Sequence, residues 1–203
     1  MPRPFSRAEK TAIRAQLMQA GLKRFSAQGI RATRVDDICR DIGIAKGSFY
    51  TFFQSKEDLF MTVADEREDV HRRGMREAAK TASGTPADRL GQLFDVIMRR
   101  IETDAVLRIV RDRAEMQHLL RKLPPERLAA NLEGDKAFAD AFAVYLGELG
   151  VAPGADPRDL EALMTLMLTV SLQSDLIPPA NYDHTVAVLR DQFVVRLLDG
   201  APV

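Results

Sequence analysis

Residues 33–59 read Thr33-Arg34-Val35-Asp36-Asp37-Ile38-Cys39-Arg40-Asp41-Ile42-Gly43-Ile44-Ala45-Lys46-Gly47-Ser48-Phe49-Tyr50-Thr51-Phe52-Phe53-Gln54-Ser55-Lys56-Glu57-Asp58-Leu59. The order is helix, tight turn, helix, short loop, helix. Thr33 with Asp36 three residues on is a capping start: the hydroxyl is expected to accept from free backbone N–H groups while the acid sits on the positive helix end. Val35, Ile38, Cys39 and Ile42 recur at helical spacing and predict one buried face. Gly43 follows, where a helix exit calls for a left-handed residue, and Ile44 plugs the space beneath the turn. A second helix is expected from Ala45 to Phe53, with Lys46, Ser48, Tyr50 and Thr51 on its exposed side and Phe49, Phe52 and Phe53 inward. Gly47 lets a backbone approach a phosphate closely. A third helix begins at Ser55, again with an acid, Asp58, three residues later. A short helix that is polar on one side and aromatic on the other, held behind a tight turn, suits insertion into the major groove of DNA.

The charge pattern agrees. The 203 residues carry 29 Lys/Arg and 29 Asp/Glu, a formal net charge of zero, which by itself gives no reason to expect nucleic acid. The distribution does: residues 1–60 hold 11 Lys/Arg against 6 Asp/Glu, a surplus of five positive charges that the remainder offsets. A basic N-terminal part on an acidic body is the asymmetry of a DNA-reading head with a separate second domain.

The motifs resemble those of the TetR/AcrR family of bacterial one-component regulators. The pieces that carry the resemblance are Phe25 to Gly29, Thr33 to Cys39, Gly43 to Tyr50 and Phe53 to Leu59. Together they match the family's Phe-x-x-x-Gly, Thr-x-Val/Ile-x-Asp/Glu-Ile-Ala, Gly-Val-Ser-Lys-Gly-Ser/Thr-x-Tyr and Phe-x-Ser-Lys-Glu-x-Leu, within a resemblance that covers about residues 7 to 67. Three positions depart from it. Cys39 stands where Ala is usual, one small buried residue for another. Ala45 stands where a capping Ser is usual, a loss that typically costs about 0.5–2 kcal/mol. Phe52 stands where Tyr or His is common, which removes one phosphate contact made by relatives.

The rest reads as helix. Residues 7–28 are amphipathic, with Ala12, Ile13, Leu17, Ala20, Gly21 and Phe25 inward, and buttress the helix-turn-helix. A long helix over 55–80 leads out of the head. Pro86 follows a Thr/Ser/Gly linker and suits the first turn of the next helix. Further helices are expected at about 86–103, 104–122, 124–149, 157–177 and 182–199, broken at Pro124-Pro125, Gly150 to Pro157 and Pro178-Pro179. Strand signals are absent. The expected fold is all-α with about nine helices: a three-helix DNA-binding head over residues 1–54, and a helical effector-binding and dimerisation body over 55–203.

Residues 157–177 are apolar on nearly every side, which predicts burial of both faces. Residues 182–199 carry a stripe of Val186, Leu189, Phe193 and Leu197, widened by Val194 and Leu198. These helices can complete one protomer's core. The resemblance favours a two-fold homodimer in which they pair with their copies as a four-helix bundle. A symmetric dimer reads a palindromic site with recognition helices about one DNA turn, ~34 Å, apart.

For DNA contact, Lys46 is placed for phosphate or a guanine edge. Ser48 and Thr51 are placed for base edges or phosphate, and the Tyr50 hydroxyl for phosphate. Gly47 gives close approach. Thr33 and Arg34 at one helix start and Lys56 at another are placed for phosphates through backbone N–H groups and charge. The resemblance implies that the body holds a small apolar or amphipathic effector. Candidate contacts are Phe94, Met98, Arg111, Met116, Gln117, His118, Phe138, Phe142, Tyr145, Met167 and Gln173, since pockets mix apolar walls with a few polar groups. On helix 104–122 the run Leu107, Val110, Ala114 continues to Gln117 and His118 and predicts polar groups on a buried stripe.

No phosphate loop, His-Glu-x-x-His, Cys-x-x-Cys or EF-hand loop is present. His71, His118 and His184 are far apart in sequence. The single cysteine, Cys39, is expected to pack. No enzyme, metal site or cofactor is expected. One cysteine, no secretion signal and no apolar stretch long enough to span a membrane lead to a cytoplasmic expectation. The reading is a sequence-specific regulator, a repressor released from its operator by the effector. A transcriptional activator of the same fold, or a helical protein-interaction module without operator binding, are the alternatives.

Overall fold

Ser6 opens the first helix. Its hydroxyl accepts from the Glu9 N–H at 3.2 Å while the Glu9 carboxylate accepts from the Ser6 N–H at 2.7 Å, a reciprocal cap that satisfies two donors the helix cannot. The helix that follows, α1 (Arg7–Ala32), is interrupted at Gly29, whose φ of 78° and ψ of 172° lie outside helical space. Then come α2 (Val35–Ile42), α3 (Lys46–Phe49), α4 (Lys56–Thr81), α5 (Pro86–Thr103), α6 (Ala105–Arg111), α7 (Arg113–Lys122), α8 (Pro157–Leu172), a short 3₁₀ turn at Ser174–Leu176, and α9 (Pro179–Asp199). This computed structural model describes residues 5–127, 142, 144–147, 149 and 157–199. Among the described residues every regular element is helical, so the chain is all-α. No helix among them is long and apolar enough to cross a membrane.

The helices form two units, Met1–Asp69 with Ala105–Leu128, and Val70–Asp104 with Ala129–Val203. The first therefore draws α6 and α7, from the middle of the chain, into the packing around the N-terminal helices. Its core is Leu17, Phe25, Ile30, Ile38, Cys39, Phe49, Phe53, Leu59 and Phe60, joined by Val106, Ile109, Leu119 and Leu123. Phe25 meets Phe60 edge-on at 5.5 Å. Arg24 forks onto Asp41 at 2.7 and 2.6 Å, tying α1 to α2; that bond holds the Asp41 carboxyl below the usual carboxylate range. In the second unit α9 runs antiparallel along α5. Tyr182 donates to Glu102 at 2.7 Å, Arg190 Nε donates to Asp95 at 2.9 Å, and Phe193 meets Phe94 at 5.5 Å.

Several boundaries differ from the sequence expectation, each for a local reason. The helix expected over 104–122 is two helices. Asp112 leaves helical geometry, and its Oδ1 caps α7 by accepting from Ala114 and Glu115 N–H at 2.7 and 3.2 Å. The break resets the helical phase: Val106, Ile109 and Leu119 are buried, whereas Leu107 and Val110 are only half-buried and Ala114 and Gln117 are exposed. The final helix starts at Pro179, not 182, because proline is well suited to a first turn. The one before it stops at Leu172 and continues as the 3₁₀ turn. Ala12, expected inward, is exposed. Within this one chain, Leu166 is 50% exposed, so α8 does not bury both faces here. Most of the helix expected over 124–149 lies outside the described residues, as does Phe138.

Candidate nucleic-acid interface

The tight turn forms as its residues dictate. Gly43 is left-handed (φ 72°, ψ 29°), and its N–H returns to the Arg40 carbonyl while the Ile44 N–H returns to Cys39. Cys39 packs at 3% exposure, and burial pushes its thiol pKa up, so it behaves as a small apolar residue. Beyond the turn, α3 has regular helical geometry only to Phe49. The next residues close as tighter i→i+3 turns, Thr51 N–H to Ser48 and Phe52 N–H to Phe49. No side-chain hydrogen bond caps Ala45. Phe49 and Phe53 are buried and Phe52 half-buried, anchoring α3 from beneath; the Arg14 guanidinium lies over the Phe53 ring at 4.6 Å.

The opposite face is open. Lys46, Gly47, Tyr50 and Thr51 are exposed, and Ser48 is half-buried. Lys46 Nζ lies 2.8 Å from Asp36 Oδ2. Hydrogen bonding to Asp36 raises the ammonium pKa, so this cation is held in place by α2. The Thr51 hydroxyl donates to the Ser48 carbonyl at 2.7 Å. A side-chain carbon on Gly47 would meet nothing within 4 Å: the chain itself does not demand glycine there, and the space in front of that backbone is free.

Three further expected contacts sit at the hinge between α1 and α2. Arg34 is exposed and occupies the N-cap of α2, whose first turn has no side-chain cap. Thr33 does not supply that cap. It is 1% exposed, and its hydroxyl donates back to the Gly29 carbonyl, four residues upstream, at 2.7 Å. Lys56 turns inward: its Nζ donates to the carbonyls of Ile30, Arg31 and Thr33 at 2.7, 2.9 and 2.8 Å, and burial lowers its pKa. At the start of α4 the Ser55 hydroxyl accepts from the Asp58 N–H at 3.1 Å, as its spacing predicts.

Two acids complete this region: Glu115, which sequence reasoning did not single out, and Asp36, which it read only as the acid of a helix start. Glu115 Oε2 accepts from the Ile30 and Arg31 N–H groups at 2.9 and 3.0 Å. Asp36 steers Lys46. No local signal marks Glu115, because its partners are 84 and 85 residues away in the chain. His118 Nε2 lies 2.8 Å from Glu57 Oε1. Burial works to push the Glu57 carboxyl up, but the His118 bond, its own backbone N–H, the Lys56 charge and the Ser55 hydroxyl together leave it below its ordinary value. The histidine expected to face an effector is thus satisfied by a neighbouring acid.

The remaining effector candidates divide between the units. Phe94, Met98, Phe142, Tyr145 and Met167 are buried in the second. There Phe142 meets Tyr145 edge-on at 6.5 Å, and Arg76 Nε donates to the Tyr145 hydroxyl at 3.0 Å. Arg111, Met116, Gln117 and His118 belong to the first, with Met116 half-buried and Gln117 exposed. Gln173 is exposed just beyond α8.

Residues 17–63 match the model of a family described as "Bacterial regulatory proteins, tetR family". The chain is 23% identical over 141 residues to the HTH-type transcriptional regulator YerO of Bacillus subtilis, covering 66% of this chain and 46% of that one. It therefore spans about half the length of that relative. It is 25% identical over 150 residues to the HTH-type transcriptional regulator TtgR of Pseudomonas putida, covering 71% of each. The fold is shared with the transcriptional regulator FadR from Bacillus subtilis, solved in complex with stearoyl-CoA, at a TM-score of 0.60 and 20% identity over 93% of this chain and 99% of that one.

Proposed function

We propose, from the premise that this chain belongs to the TetR/AcrR family of transcriptional regulators, that it is a homodimeric repressor released from a palindromic operator by a small apolar or amphipathic effector. The observation that carries this reading is the face of α3: Lys46, Gly47, Tyr50 and Thr51 are exposed on a helix held from beneath by buried Phe49 and Phe53. The open space at Gly47 admits a phosphate or sugar against the backbone. Tyr50 and Lys46 supply a donor and a cation for phosphate, and Ser48 and Thr51 reach toward base edges. The uncapped first turn of α2, with Arg34 beside it, is a second phosphate seat, and Thr33 and Lys56 act there by shaping the hinge that presents it.

Dimerisation is supported by exposed apolar side chains on the last two helices. Leu166 is 50% exposed, Val188 48% and Val195 49%, and on α9 the latter two are seven residues apart, two turns along one face. The effector reading rests on the aromatic and Met-rich interior of the second unit around Phe94, Met98, Phe142, Tyr145 and Met167. The stearoyl-CoA bound by the fold relative from Bacillus subtilis makes long-chain acyl thioesters the first effectors to try. Release follows if an effector prefers a protomer arrangement whose recognition helices mismatch the operator.

The test is selection of duplexes from a random pool by the purified protein at moderate salt. Recovery of a palindrome with half-sites about one turn apart supports the reading. Recovery of no enriched duplex, before and after unfolding and refolding away any co-purified ligand, refutes it. Introducing a carboxylate at both Leu166 and Val188 should give monomers by sedimentation; an unchanged oligomer refutes the assignment of that face.

A further inference from the structure

The backbone of residues 29–34 joins α1 to α2 and carries Arg34 at its end. It contains three non-helical points: Gly29 in an extended positive-φ conformation, and Thr33 and Arg34 in extended conformations before α2. The torsions at Gly29 turn the Ile30 and Arg31 N–H groups away from the preceding turn of α1, so these donors depend on outside partners. The structure supplies them from two sides. Glu115 of α7 accepts from the Ile30 and Arg31 N–H groups through one oxygen, Oε2. Lys56 of α4 donates to the Ile30, Arg31 and Thr33 carbonyls. Donors and acceptors of the same short segment are thus held by one anion and one cation.

The anion's own position is built in. Asp112 breaks the α6–α7 run and caps α7, placing Glu115 in its first turn. One turn later His118 reaches Glu57 at 2.8 Å, and i,i+3 spacing puts the two on one side of the helix. Gly29 makes room for the carboxylate: a Cβ there would stand 2.6 Å from Glu115 Oε1. The left-handed glycine, the capped helix break and the two charged side chains converge on one object, the path of the chain into α2.

We propose that Glu115 is a positioning residue for DNA binding: from α7, with Lys56 opposite it, it holds the 29–34 hinge in the setting that presents Arg34 and the first turn of α2 to a phosphate. This rests on the operator-binding reading above. The geometry requires α7 to be part of the DNA-reading apparatus although it lies well beyond the helix-turn-helix in the chain, and the grouping of Ala105–Leu128 with Met1–Asp69 in one unit agrees.

The experiment uses the full chain and the duplex it selects, with Glu115→Ala, Glu115→Gln, Arg34→Ala and the Glu115→Ala/Arg34→Ala double variant. Two readouts are taken: amide hydrogen exchange at Ile30 and Arg31, and duplex affinity as a function of salt. In Glu115→Ala both amides should exchange at least about tenfold faster, and affinity should fall on the order of tenfold with a shallower salt slope. Arg34→Ala should then weaken binding much less in that background than in wild type, since a mispositioned arginine has little left to lose. Glu115→Gln, which keeps an acceptor oxygen, should recover part of both effects, and it substitutes in the cycle should the alanine variant not fold. Unchanged exchange at Ile30 and Arg31 overturns the clamp. Faster exchange with an undiminished effect of Arg34→Ala and an unchanged salt slope makes Glu115 a stability residue only and overturns the positioning role. If wild type selects no duplex, the operator reading falls and the positioning role with it, while the exchange arm still reports whether Glu115 holds the hinge.

Discussion

Replacing Gly29 by alanine strikes the hinge at its most constrained point. Its φ of 78° and ψ of 172° belong to a region that is essentially glycine's own, and holding an L-residue there costs of order 1–3 kcal/mol. The added carbon would also stand 2.6 Å from Oε1 and 2.9 Å from Cδ of Glu115, closer than any real contact. The carboxylate must withdraw, and its bonds to the Ile30 and Arg31 N–H groups at 2.9 and 3.0 Å go with it. In this partly exposed setting, where water replaces some of what is lost, that adds about 1–2 kcal/mol. The combined loss is about 2–5 kcal/mol, or about 4–20 °C in Tm for a chain of this size. The assay is chemical denaturation monitored by circular dichroism, run as a cycle of Gly29→Ala, Glu115→Ala and the double variant. Once Glu115 is truncated the clash vanishes and only backbone strain remains, so the double variant should be more stable than additivity predicts, by about 1–2 kcal/mol. A Gly29→Ala variant within about 0.5 kcal/mol of wild type would mean that the backbone re-routes freely at this position. Strict additivity would mean that the Gly29 and Glu115 sites do not meet.

Phe94 has no solvent exposure and packs edge-on to Phe193. Phe94→Ala should therefore destabilise by about 3–5 kcal/mol in thermal unfolding; a loss below about 1 kcal/mol would show that the site collapses around the gap. The Glu57 carboxyl is held below its ordinary value, so its contribution is present above the unfolded-state pKa and lost as pH falls through the lower folded-state value. Glu57→Gln should accordingly lower stability near neutral pH and flatten the acid side of the stability profile, and an unchanged acid limb would show that the His118 bond adds nothing. Lys46→Ala removes one cation from the face of α3 and should reduce the slope of log affinity against log salt by about one. A slope equal to wild type would place Lys46 off the DNA, occupied by Asp36 alone.

Local signals carried the N-terminal helices a long way. The apolar spacing of Val35, Ile38, Cys39 and Ile42, the left-handed exit at Gly43 and the aromatic underside of α3 act over a few residues, and all are realised in the structure. So is Pro86 at the first turn of α5, behind a Thr85–Asp88 capping box. The failures have local causes too. Thr33 has the sequence of a cap, yet its hydroxyl turns back to the Gly29 carbonyl four residues upstream. The stripe from Leu107 to His118 presumes a continuous helix, and Asp112 ends it by bonding its own downstream backbone.

The amino-acid order alone determines where helices start, which faces are apolar and which short helix presents polar groups, because backbone hydrogen bonds and side-chain periodicity are near-neighbour effects. Which charged side chains meet is set by packing. Glu115 finds Ile30 and Arg31, Lys56 finds the carbonyls of the same hinge, and His118 finds Glu57 only once α4, α6 and α7 have folded against α1. A partner 61 or 85 residues away leaves no trace in the local pattern. The cost of burying an unpaired charge selects that partner after the helices have been brought together, not before.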